Sequence, residues 1–97
     1  MPIESSSASD RRAEQRHTAY GPVWLRVQSS ARVPALGQLL DITKSGFRAR
    51  HRLRRLRPGQ EVEFEVAGFP GLARVVWTRI LGGQAESGFQ IVAANSE

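Results

Sequence analysis

Residues 61–66 read Glu-Val-Glu-Phe-Glu-Val. Strict alternation of charged and apolar side chains suits an extended strand, with one dry face and one wet one, and not a helix. The same period recurs along the chain. Val23, Leu25 and Val27 alternate with Trp24, Arg26 and Gln28, behind Pro22 at a strand start. Phe47, Ala49 and His51 alternate with Arg48, Arg50 and Arg52; Ala73, Val75 and Trp77 alternate with Arg74, Val76 and Thr78. Leu36 to Thr43 reads as a strand with Leu40 and Ile42 on one face and Leu39 and Asp41 on the other. Glu86 to Val92 is the last, with Phe89 and Ile91 on one side. Pro58-Gly59, Gly68 to Gly71 and Gly82-Gly83 supply turns between them. Six short strands at this spacing predict an all-β chain, a small closed or nearly closed antiparallel barrel. Trp77 is expected in its core, and Trp24 opposite the apolar stripe as a covering residue. If 47–52 and 61–66 are neighbours, their arginines and glutamates face each other, worth about 0.2–1 kcal/mol a pair.

A chain of 97 residues has room for one small domain, which buries roughly 60–65% of its unfolded surface. Residues 1–10, rich in Ser and polar, are expected to be a disordered tail. The barrel domain is expected over 11–93, with a short tail at 94–97. No signal-peptide pattern opens the chain, and no apolar run approaches the ~18 residues of a membrane span. There is no cysteine, so neither a disulfide framework nor a thiolate site is expected, and the cytoplasm is the expected location.

Chemistry-bearing residues are few. His17 and His51 are the only histidines, without metal-ligand spacing, so no metal is expected. Serines 5 to 7, 9 and 45 have no base that the sequence places beside them. Glu61, Glu63 and Glu65 share one strand face, which reads as a solvated or ion-paired face. These observations point away from an enzyme. The charge points elsewhere: net +5, with Lys44 the one basic residue of 14 that is not arginine. A guanidinium fork pairs bidentately with phosphate and with the guanine edge, and stacks on rings.

Two short stretches give that charge a target. Arg12-Ala13-Glu14-Gln15-Arg16 is an RxxxR run, preceded by Arg11. Asp41-Ile42-Thr43-Lys44-Ser45-Gly46 lies between two strands and reads as a hairpin turn, with Gly46 there for a positive φ or a close approach of backbone. Asp41 would close such a turn through its own backbone. Together, in this order and before a run of strands, the two stretches resemble the signature of the PilZ family of bacterial cyclic di-GMP receptors. That signature is RxxxR followed, about 20 to 30 residues later, by [DN]xSxxG. Thr43 stands where the family usually has Ser. The resemblance runs from about Arg11 to Val92 and includes Trp77 and the pair Gly88-Phe89.

What the resemblance implies is a six-stranded PilZ-like β-barrel with a flexible N-terminal arm, binding cyclic di-GMP without catalysis and acting as an adaptor toward a protein partner. The ligand-binding set it implies is Arg11, Arg12, Arg16, Asp41, Thr43 and Gly46. The chemistry agrees. A carboxylate such as Asp41 accepts the N1–H and N2 amine of guanine in parallel, while arginine matches O6 and N7 and the phosphodiesters. In proteins of this kind, an arginine before RxxxR goes with a stacked pair of ligands, so Arg11 implies two per chain. Two other readings fit the same barrel. One is single-stranded nucleic-acid binding: Lys44-Ser45-Gly46-Phe47 is faintly similar to a cold-shock K-G-F run, but Arg48 and Ala49 stand where a second stacking aromatic is wanted. Aromatics are only 7% of the chain, so nucleic acid is the weaker expectation. The other is a protein-interaction module that no longer binds nucleotide.

Overall fold

A computed structural model describes residues 17–18, 21–28 and 34–94. The expected tail at 1–10 and residues 95–97 of the expected C-terminal tail lie outside the described residues, as do Arg11, Arg12 and Arg16, whereas Ala94, expected in that tail, belongs to the last strand. The strands are β1 (His17–Thr18), β2 (Pro22–Val27), β3 (Ala35–Ile42), β4 (Gly46–His51), β5 (Glu61–Val66), β6 (Phe69–Leu81) and β7 (Gln84–Ala94). Helix is absent from the described residues. Neighbours run β3-β2-β5-β6-β7-β4, and β4 returns to β3. The result is the expected closed antiparallel barrel of six strands. β1 adds to β3 on the side that β2 occupies, beyond the point where β2 begins: Thr18 pairs with Asp41 and His17 with Ile42, whereas Pro22 pairs with Gln38.

The alternation read from sequence sets the core. Val23, Leu25, Ala49, Val62 and Ala73 are fully buried, joined by Phe47, Phe64, Val75 and Phe89. Phe47 stacks on Phe89 with ring centroids 4.8 Å apart and meets Phe64 tilted at 5.1 Å. Such pairs add about 0.5–1.5 kcal/mol beyond the area they bury. Leu56, from the connection after β4, closes one end of the barrel.

Three expectations are corrected. The register slips by one residue between Leu39 and Asp41, so that Leu39 pairs with Ala49 but Asp41 with Arg48. This bulge at Leu40 places Leu39 in the core, packs Ile42 against it, and turns Asp41 to the outer face. Leu39 and Asp41 therefore do not share a face. A second slip, between Val75 and Trp77, leaves Val76 unmatched. Trp77 consequently lies outside, 37% exposed, over Gly88, where a Cβ would strike its ring. It is not a core residue. Finally, β4 and β5 are not neighbours. Glu63 pairs with Arg26 across to β2 and Glu61 with Arg74 across to β6, while the arginines of β4, Arg48 and Arg50, meet Asp41 and Glu86. The turn expected over 68–71 is also tighter: Ala67 (φ 53°) and Gly68 (φ 84°) make it, and Phe69 already belongs to β6.

Gly46 is required by space and not by a left-handed φ. A Cβ built there would overlap the carbonyl oxygen of Phe89 in β7. Backbone cannot step aside as a side-chain tip can, and β7 is held there by the bond from Ile91 N–H to the carbonyl of Ser45, 2.7 Å. Gly46→Ala is expected to lower stability by about 1–3 kcal/mol, the range for overpacking, as read from urea unfolding. A midpoint within error of the unmodified protein would contradict the close approach.

Candidate functional site

The turn between β3 and β4 is tied by Thr43. Its Oγ1 accepts the N–H of Ser45 at 3.2 Å and of Gly46 at 3.1 Å, and its own N–H donates to the carbonyl of Gly46 at 2.8 Å. A hydroxyl that bonds its own backbone two or three residues on is a standard turn device. Thr43 thus closes the turn, a role that the sequence offered to Asp41 as the alternative to ligand binding. The serine usual in the signature carries the same hydroxyl, so Thr43 meets the turn's requirement without loss.

The bulge turns Asp41 to the outer face, where it holds Arg48. Its Oδ2 accepts Arg48 Nε at 2.8 Å and lies 2.6 Å from Nη2. The third nitrogen of the same guanidinium, Nη1, donates to Glu86 Oε2 of β7 at 3.1 Å. The carboxylates of Asp41 and Glu86 are 5% and 3% exposed, while Arg48 is 39% exposed. Arg79 adds a bond of 3.1 Å to Glu86, and Arg50 lies 4.0 Å from it. The pKa of Arg48 is raised, first by its hydrogen bond to Asp41 and then by the two nearby negative charges, against a desolvation that opposes them. It stays charged at any working pH.

Next to this cluster is an open groove of about 610 Å³, bordered by Thr43, Gly46, Arg48, Val76, Trp77 and Gln90, within the usual size for a small-ligand site. The bulge at Val76 puts Trp77 on this surface, where its half-covered ring offers a face for a planar group. Of the six residues implied by the signature, Thr43 and Gly46 border the groove and Asp41 lies beneath its arginine. Arg48, Trp77 and Glu86 were missed as site residues. One signal for Trp77 was available: a lone glycine inside a strand, Gly88, marks the close approach of another group.

β1 adds a further element. Its pairing sets His17 opposite Ile42 and Thr18 opposite Asp41, and Arg16 is the next residue in sequence before it. The arginines themselves lie outside the described residues.

One pair resembles a catalytic dyad and is not built as one. His51 Nε2 and Ser87 Oγ are 2.8 Å apart, both buried. Yet Nδ1 accepts the N–H of Leu53 at 3.0 Å, so the ring proton sits on Nε2 and points at the serine. A general base needs the opposite. Ser87 in turn meets Thr78 Oγ1 at 2.7 Å, and the chain of bonds ties β4, β7 and β6 together. Comparison of the sequence with protein-family models and with curated proteins gives no match to either.

Burial lowers the pKa of His51 from 6.5 to about 4. The unfolded chain takes up this proton near its ordinary value and the folded chain only near 4. Stability is therefore full above about pH 6.5 and falls as pH drops toward 4, by about 3 kcal/mol for this group. Urea midpoints across that range are expected to show the slope, and His51→Gln to flatten it. An equal slope in the variant would assign the loss to other groups.

Proposed function

We propose that the chain is a receptor for cyclic di-GMP, a binding module without catalysis that acts in the cytoplasm as an adaptor. The observation that carries this reading is the register of β1 on β3. It brings the chain, one residue after RxxxR, alongside Asp41 and the turn that ends at Gly46. Arg16 and Asp41 are 25 residues apart in sequence, and the two residues that follow Arg16 pair with the strand that carries Asp41. A groove of small-ligand size lies beside the turn.

The geometry adds a step that the signature alone does not contain. Guanine's N1–H and N2 amine want both oxygens of a carboxylate, and Oδ2 of Asp41 already accepts two donors of Arg48. Binding therefore requires Arg48 to loosen its hold. It can do so cheaply, because it is partly in water and keeps Glu86 as a second partner. Once turned outward, its guanidinium is a further donor for O6 and N7 or for phosphate. Trp77 supplies a stacking face of the kind that purines use, worth about 1–3 kcal/mol a base.

Calorimetric titration with cyclic di-GMP is the test. Arg16→Ala and Asp41→Ala are each expected to weaken binding by at least ~1–3 kcal/mol, the value of one bidentate guanine contact. Cyclic di-AMP, lacking the N1 proton, is expected to compete poorly. Arg16→Ala is the cleaner variant, since Asp41→Ala also strands Arg48. Unchanged affinity in both, or equal competition by cyclic di-AMP, would overturn the guanine site. Parallel titration with short oligonucleotides at two salt concentrations distinguishes the nucleic-acid reading, because phosphate contacts give a steep salt dependence.

The ratio of ligand to protein is a separate expectation. A stacked pair of cyclic di-GMP brings four negative charges to the groove, and Arg11 beside RxxxR is a sensible counter-charge and stacking surface. Two ligands per chain are expected, and Arg11→Leu should shift the ratio toward one. A ratio of one in the unmodified protein at saturating ligand would refute the pair and leave the guanine site standing.

A further inference from the structure

On the strands, the described arginines are all partnered. Arg26, Arg48, Arg50, Arg74 and Arg79 each lie within 4.0 Å of a carboxylate oxygen. The connection between β4 and β5 differs. Arg52, Arg54, Arg55 and Arg57 are exposed, and none has a carboxylate partner among the described residues. The sequence Arg-Leu-Arg-Arg-Leu-Arg over 52–57 explains the arrangement. Leu53 packs against the core and Leu56 is buried within it, so the residues between them are turned out. Tight backbone bonds fix the path: Arg54 N–H to the carbonyl of Arg52 at 3.0 Å, and Leu56 N–H to that of Leu53 at 3.2 Å. Leu53 N–H, moreover, is held by His51. These arginines are carried on an ordered frame.

Inside the frame is a groove of about 530 Å³, floored by Leu25, Leu53 and Leu56 and rimmed by Arg52, Arg54 and Arg55. It shares no lining residue with the groove at the β3–β4 turn. The two sit at opposite ends of β4, about 20 Å apart along the strand. We propose that this second groove docks an acidic segment of a partner protein, with carboxylates on the arginine rim and an aliphatic side chain over the leucine floor. Charge complementarity selects the occupant. Uncompensated guanidinium forks match carboxylates bidentately, and an apolar floor rewards a neighbouring Leu or Ile. Single-stranded nucleic acid fits less well, because the lining offers no aromatic ring for a base. A bilayer fits less well too, because the leucines lie at the bottom of the groove and none projects past the arginine rim to insert into lipid. The inference stands apart from the nucleotide site and survives if that reading fails.

The test is fluorescence anisotropy with a labelled peptide of Glu, Asp and Leu against the full chain. Binding is expected, weakening as salt rises, and the double variant Arg54→Gln/Arg55→Gln should lose roughly tenfold in affinity. Both side chains are in water, so the barrel should keep its unfolding midpoint. Arg74→Gln, which removes one exposed guanidinium outside the groove, should leave peptide binding unchanged. Three results would each overturn the proposal: no binding, an equal loss in Arg74→Gln, or equal binding of a peptide with Gln and Asn in place of the acids. Tighter binding of oligothymidylate or phosphatidylglycerol vesicles, lost in the same double variant, would reassign the surface to a polyanion or a membrane.

Discussion

One guanidinium holds the barrel closed on its outer face. β4 is the strand that completes the circle, paired with β7 on one side and β3 on the other. Arg48, in its middle, reaches Asp41 on β3 and Glu86 on β7. The two acids are almost wholly covered, and burial of a carboxylate is tolerated only with a partner and hydrogen bonds. Taking away a partner of a fully buried charge costs about 3–5 kcal/mol; here the figure is smaller, because Arg48 is partly in water and Arg79 also serves Glu86. On the inner face the same strand contributes Phe47, which joins Phe89 of β7 to Phe64 of β5. Closure is thus secured twice, by charge outside and by stacked rings inside.

How much of this was legible in the sequence depends on where the period of two holds. In Val23 to Val27 and Glu61 to Val66 it is unbroken, and burial follows the pattern residue by residue. It fails at Leu40, at Val76 and again at Val92, where one extra residue reverses the side chains beyond it. Nothing in an apolar run such as Leu36 to Leu40 marks which residue is extra. The reversal decides the site, because it turns Asp41 and Trp77 outward together. Strand adjacency was equally hidden. The glutamates of β5 face arginines, as opposite charges should, but those arginines come from β2 and β6. The hydroxyl chain from His51 through Ser87 to Thr78 joins residues up to 36 positions apart, which spacing alone cannot bring together. By contrast, the turn with Thr43 and Gly46 was readable, since turn chemistry is local.

The bulges at Leu40 and Val76 also shape the groove beside the β3–β4 turn. Each bulge bends its strand and removes one side chain from the regular pattern. With the small Gly88 beside Trp77 and Gly46 pressed on β7, the wall between the two bulges is low, and Phe47 and Phe89 come near the surface as a floor. Space for a ligand arises where the pairing is least regular.

A ligand that engages Asp41 enters this arrangement as a competitor of Arg48. For any ligand that engages Asp41, the exchange costs less than the ~3–5 kcal/mol of breaking a fully buried pair, because Arg48 is partly in water and keeps Glu86. Were Arg48 as buried as its partners, the same exchange would strand a charge and the site would be closed to any ligand. Linkage makes the effect reciprocal: the factor by which the Arg48–Asp41 contact would oppose such a ligand equals the factor by which the ligand would weaken the β3–β4 seam. Were that seam to loosen, Glu86 and the aromatic stack would still hold β4 to β7.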